Sequence, residues 1–154
     1  MTINLSALNT GLAVPASLAG NTFTGAQIYS DQQMSRGMFK DMGAVFLDKG
    51  NSSTTAQTFD YTAGSHQRLA VTGAHTINAV TNWPPTGNLG QLLIELVNGA
   101  AFAVTWPTVN WVKSDGTTTT SFASNGVTLQ ASGVDFVLLW SRDGGITVYG
   151  KVLR

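Results

Sequence analysis

The sequence predicts an all-β domain, an antiparallel β-sandwich or jelly-roll-like fold, with an extended N-terminal arm and one short helix. Three observations lead there. From about residue 53 onward, short apolar or alternating segments follow one another, separated by Asn-Gly and Asp-Gly turns. No helical periodicity intervenes between them. The residues before them have a different texture, first an irregular leucine-bearing stretch and then a methionine repeat at helical spacing. The predicted organisation is an arm over residues 1–25, a short helix and linker over 26–50, and the β-sandwich over 51–154.

The arm carries Ile3, Leu5, Leu8, Leu12, Val14 and Leu18 among Asn9, Thr10, Pro15, Gly20 and Asn21. Pro15 and the glycines break any long helix. Twenty residues of extended chain reach about 66 Å at ~3.3 Å each. No charged side chain occurs before Asp31, and the leucines distinguish this stretch from an ordinary disordered tail. Met34, Met38 and Met42 then recur every fourth residue beside Phe39, so a helix is expected over 32–42. Ser30 or Asp31 caps its start and Gly43 ends it. This stripe needs something to pack against, which makes these methionines, Phe39 and the arm's leucines candidate assembly contacts.

In the β region, strands are predicted at 58–62, 68–71, 75–81, 90–97, 102–106, 109–112, 126–130, 135–140 and 147–152. Phe102, Val104 and Trp106 alternate onto one face, as do Phe136, Leu138 and Trp140. That phase places Trp106 and Trp140 in the core. Ile146, Val148, Gly150 and Val152 share a face in the last strand. Segments 92–97 and 136–140 are apolar on both faces apart from Glu95, so they read as central strands. Turn signals stand at Asn98-Gly99, Asp115-Gly116, Asn125-Gly126 and Asp143-Gly144-Gly145. Strands at this spacing without helices mean a sandwich, jelly roll or barrel. No internal repeat is evident, which argues against a solenoid or propeller.

Composition narrows the function. Only 10% of the 154 residues are charged, 43% are hydrophobic, and the net charge is zero. That balance describes a folded domain with an uncharged, Thr/Ser/Asn-rich surface, not a disordered chain. A nucleic-acid binder needs a Lys/Arg stripe, and the eight basic residues here are scattered. There is no cysteine, hence no disulfide, thiolate metal site or thiol nucleophile. Neither a signal peptide nor an apolar stretch of membrane-spanning length is visible, so a soluble protein without a membrane partner is expected.

A search for chemistry returns little. His66 and His75 lie in no metal-binding pattern and are expected in loops or on the surface. The acidic residues form no close pair, and neither a Gly-x-Ser-x-Gly elbow nor a phosphate loop occurs. At Asp143-Gly144-Gly145 only Asp143 and Ser141 offer side-chain oxygens, too few for a calcium loop. A tight hairpin turn is the better reading. Glu95 is expected to face solvent or pair with an arginine. Trp83, Trp106, Trp111 and Trp140, with Tyr149, raise a carbohydrate-binding module as the rival class. Trp83 and Trp111 adjoin turns and are the two with prospects of exposure. No enzyme activity and no cofactor is expected.

Several blocks resemble a β domain common in tailed-bacteriophage structural proteins. They are Met38-Phe39-Lys40-Asp41, similar to the family's Leu-Lys-Asp-Tyr, then Leu93-Ile94-Glu95-Leu96-Val97-Asn98-Gly99, then Val104-Thr105-Trp106-Pro107 followed by Val109 and Trp111. Leu129 to Asp135 and Asp143 to Gly150 complete the set. The resemblance covers about residues 36–150 and rests on the order and spacing of separate blocks. It implies a non-enzymatic virion component, assembled in the host cytoplasm, that binds copies of itself and other virion proteins. The resemblance and analogy with phage appendages suggest a homotrimer. The chain is short for a fibre shaft, so capsid decoration, anchored on the major capsid protein through the arm, is the leading expectation. A tail fibre or tail-associated protein near the receptor is the alternative, and glycan binding the more distant one. One departure stands out. Where the family has a short turn after the second tryptophan, this chain has a longer Thr-rich segment. Trp111, Lys113, Asp115, Thr117, Thr118, Thr119 and Thr120 are therefore a candidate exposed contact loop.

Overall fold

Most of the alternating segments form strands, because β-branched and aromatic residues at every second position present one apolar face for burial; the predicted strand at 58–62 does not, and runs instead into a 3₁₀ turn at Tyr61–Ala63. The computed structural model describes residues 44–52 and 55–153. The expected arm (1–25), the expected helix (32–42) and the candidate contacts Ile3, Leu5, Leu8, Leu12, Val14, Leu18, Met34, Met38, Phe39 and Met42 lie outside the described residues. Ten strands occur within them: β1 (Phe46–Asn51), β2 (Ala56–Gln57), β3 (His66–Ala70), β4 (His75–Ile77), β5 (Gly90–Val97), β6 (Val104–Thr105), β7 (Asn110–Val112), β8 (Thr118–Thr119), β9 (Val134–Ser141) and β10 (Tyr149–Leu153). Two 3₁₀ turns, Tyr61–Ala63 and Phe122–Ser124, interrupt the connections. The sheet thus starts at Phe46, inside the stretch read as linker. The segment 126–130 forms no strand; Gly126 takes a positive φ of 85°, and Asn125 Oδ1 accepts a hydrogen bond from the Val127 amide (2.6 Å) in a side-chain turn.

The fold is mostly β, but its pairing differs from the antiparallel expectation. A seven-stranded sheet has the order β1-β3-β5-β9-β10-β7-β8, and a three-stranded sheet the order β2-β4-β6. β1, β3 and β5 pair in parallel, as do β2, β4 and β6. The chain therefore alternates between the two sheets and winds through three turns of a short parallel coil. This corrects the reading that excluded a solenoid. Phe46 pairs with His66, 20 residues on, but His66 pairs with Leu93, 27 residues on. The unequal second turn, lengthened by the 78–89 connection, hides the repeat from sequence inspection. Turn residues also misled. Asn98, at φ 56°, carries the chain out of β5 toward the other sheet instead of closing a hairpin.

β9 and β10 then cap the coil edge. β9 runs antiparallel to β5 over eight register pairs, and β10 runs antiparallel to β9 and parallel to β7. Inward positions line up across the strands. Gln67, Ile94, Val137 and Val152 form one row, and Leu92, Leu139, Gly150 and Trp111 another. Phe59, Leu69, Val71, Ile77 and Val109 complete the core. Each buried aliphatic contributes roughly 1.5–3 kcal/mol, so these rows dominate the folding energy. Gly150 is where the second row makes room for an indole: a Cβ there would lie 2.7 Å from Trp111 and 2.8 Å from Val109.

Candidate functional site: the outer face of the large sheet

Period-two alternation that sends one set of side chains into the core sends the other set out. On the outer face of the seven-stranded sheet, Phe46, His66, Leu93, Leu138 and Lys151 form one row. Asp48, Arg68, Glu95, Phe136 and Leu153 form the next. Gln91, Trp140, Tyr149 and Asn110 run across on one side, and Ala70, Val97 and Val134 on the other. Phe46 is 51% exposed, Val134 40%, Phe136 39% and Leu153 41%, while Leu93 and Leu138 between them are half-buried. Phe136, Leu138 and Trp140 therefore lie on the outer face, opposite to the expected core phase. The buried side of β9 carries Asp135, Val137, Leu139 and Ser141. Sequence alternation found the two faces of β9 but not which is inside, because both are apolar at the strand's centre.

The charges on this face occur in pairs. Arg68 Nη1 donates to both carboxylate oxygens of Asp48, at 3.1 and 2.9 Å. His66 Nε2 lies 2.8 Å from Glu95 Oε1, at ion-pair distance though not aligned as a hydrogen bond. Phe46 packs edge-on against the His66 ring, with centroids 5.2 Å apart. Glu95, expected to face solvent or pair with an arginine, lies half-buried on the outer face beside a histidine. His66 is half-buried, and His75, expected at the surface, is buried with Nδ1 3.1 Å from the Gly73 carbonyl. Next to these pairs, Trp140 stacks on Tyr149 at 5.7 Å. Leu89, Gln91, Leu138, Trp140 and Arg142 line a shallow hollow of about 330 Å³ there.

The Thr-rich segment is a hairpin tip between β7 and β8. Lys113 and Thr117 close it, the Lys113 amide donating to the Thr117 carbonyl at 2.9 Å. Asp115 accepts from both the amide (2.9 Å) and the hydroxyl (2.7 Å) of Thr117. These bonds, the hydroxyl foremost, with Lys113 nearby, hold the Asp115 carboxyl below its ordinary pKa. Asp115, Thr117, Thr118 and Thr120 are exposed, while Lys113 and Thr119 are half-buried. Trp111 is not part of this surface. It is 1% exposed, because alternation within β7 turns it into the core. There it meets Phe122 edge-on at 4.7 Å and Trp106 at 5.0 Å. Trp106 is half-buried against that cluster, and Trp83 half-buried against the core, stacked with Tyr61 at 5.6 Å.

The Asp143-Gly144-Gly145 turn joins β9 to β10 through seven residues, 142–148, a longer link than the tight hairpin anticipated. Asp143 Oδ1 accepts from the Thr147 amide and the Ser141 hydroxyl, both at 2.9 Å. The Thr147 backbone bond is the main reason its carboxyl sits below the usual range. Ile146, assigned to the final strand's apolar face, instead stands 86% exposed in this loop. Among the described residues no three His, Asp or Glu side chains converge as metal ligands, and no helix is long and apolar enough to cross a membrane. No family model, curated protein or solved structure matches this chain.

Proposed function

We propose that this chain is a structural component of a tailed-phage virion, working by association with its own copies and with other virion proteins. Capsid decoration is the favoured position, with residues 1–25 as the anchor on the head. The observation that carries the assembly reading is the outer sheet face. Val134, Phe136 and Leu153 leave neighbouring exposed apolar side chains on β9 and β10, with Phe46 across the sheet on β1, and exposed apolar patches mark interaction sites. The pairing of Asp48 with Arg68 supports the same reading, since charges already matched are compatible with burial in an interface. The virion assignment rests on the ordered sequence blocks described above. The test is complementation of phage particles with full-length and 26–154 forms of the protein. Incorporation of the full chain, and its loss on removal of residues 1–25 with the β unit still folded, is the expected outcome. Failure of the full chain to enter particles would overturn the virion reading.

A further inference from the structure

We infer that the outer face of the seven-stranded sheet is the surface through which this chain meets a second copy of itself. This rests on the assembly reading above and names the partner for that face. Five of the eight exposed large hydrophobic side chains among the described residues, Phe46, Leu89, Val134, Phe136 and Leu153, lie on or beside this one face. Phe136 and Leu153 are register partners beside the half-buried pair Leu93 and Leu138, Val134 precedes Phe136 on the same face of β9, Leu89 borders Leu138 in the hollow, and Phe46 stands across the sheet beyond His66.

Charge selects the occupant. A surface that meets its own copy cannot carry one sign without like-charge repulsion. Here Asp48 and Glu95 are offset by Arg68, Lys151 and Arg142, with His66 beside Glu95. The acids lie on β1 and β5, and Lys151 lies on β10 across the sheet. An anionic lipid surface or a nucleic acid would call for a basic field, which this face lacks. Size agrees as well. β5 and β9 have eight residues each. β1, β3 and β10 are shorter, with five or six residues each. At ~3.3 Å per residue and ~4.8 Å between strands, these five strands present about 500 Å². Two copies would then bury about 1,000 Å², the least that a specific interface clears.

The experiment is light scattering and sedimentation of the full chain and of Phe136→Lys, Leu153→Lys and Ile146→Lys. Circular dichroism verifies that each variant is folded. The wild type is expected to be oligomeric at micromolar concentration. Phe136→Lys and Leu153→Lys should each weaken association at least tenfold. Ile146→Lys, at an apolar side chain more exposed than either but placed off this face, should leave it unchanged. Carbene footprinting of the wild type gives a second readout that needs no variant, with labelling of Phe136 and Leu153 falling as concentration rises. An oligomer that withstands both lysine variants, with footprints insensitive to concentration, overturns this face and leaves assembly through another surface. A wild type that stays monomeric to near-millimolar concentration overturns self-association altogether.

Discussion

At the scale of single residues, tryptophan placement separates the readings of this protein. Trp111 was a candidate for solvent contact and is instead the largest fully buried side chain. Its indole fills the space left by Gly150 and packs edge-on against Trp106 and Phe122. Replacing Trp111 with Ala should cost about 3–5 kcal/mol in denaturant unfolding, the usual loss for a truncated core aromatic. A near-neutral result would return Trp111 to the surface. Asp143 carries a pH prediction. Its folded pKa is lowered by bonds from Thr147 and Ser141. The stability it contributes is therefore full above the unfolded carboxyl value of about 3.9 and is lost as pH falls through the lower folded value. Asp143→Asn should lower the melting temperature at pH 7, and the two proteins should converge near pH 2. Asp60 and Asp115, lowered chiefly by the neighbouring Thr62 and Thr117 hydroxyls, add to the same acid sensitivity. Asp115 and Asp143 were legible as turn residues, but the bonds that lower their pKa were not, because each depends on a threonine turned back toward it.

At the scale of elements, the parallel coil depends on side chains that tie its corners. Gln67 is fully buried on the inner face of β3, in a row otherwise made of Ile94, Val137 and Val152. Its Nε2 donates to the carbonyls of Asp60 (2.6 Å) and Gly64 (2.8 Å). It thus holds the Tyr61–Ala63 turn that brings the chain from the small sheet back to β3. Gln67→Leu keeps the volume and removes both bonds; the Asp60 carbonyl keeps the Ala63 amide, and the buried Gly64 carbonyl loses the Gln67 donor. Such loss costs about 1–3 kcal/mol. Hydrogen exchange should quicken over residues 60–64 before it does in β5 or β9. Equal protection across all of these segments would mean that Gln67 is only filler. The β7–β8 hairpin tip is a different kind of element. Asp115 and Thr117 brace it, and apart from the half-buried Lys113 and Thr119 it presents exposed, short polar side chains, which suits a tolerant surface or a polar contact.

At the scale of the whole molecule, the question is what the sheet's outer face is for. Low overall charge and an apolar outer face point in one direction, toward burial against another protein surface. Removing residues 1–25 is expected to leave the β unit folded, with an unchanged strand signature in circular dichroism. The same deletion is expected to abolish entry into virions. Unfolding on deletion would make those residues part of the fold and refute their role as a separable anchor. Association of the truncated chain, measured by light scattering, should match that of the full chain, since the outer face lies wholly within residues 46–153.

Much of the local structure was legible in the sequence. β5 was predicted at the residues where it occurs, and the strand character of β3, β7, β9 and β10 followed from alternation and turn residues. Alternation is a property of neighbours along the chain, so the sequence by itself determined that two faces would exist and which residues share each. Three decisions needed the tertiary structure. The direction of strand pairing is set by where a connection lands: Asn98-Gly99 carries the chain to the other sheet, whereas Asp115-Gly116 and Asp143-Gly144 lie where it reverses between paired antiparallel strands. Which apolar face of β9 is buried depends on the neighbours that β5 and β10 bring to it, so Val137 and Leu139 went inside while Phe136 and Trp140 stayed out. The coil itself was invisible because its turns differ in length, 20 residues and then 27, while burial requires only that Leu69 and Leu96 end side by side. Contacts between residues far apart in the chain are paid for by apolar burial, and burial is indifferent to how many residues lie in between.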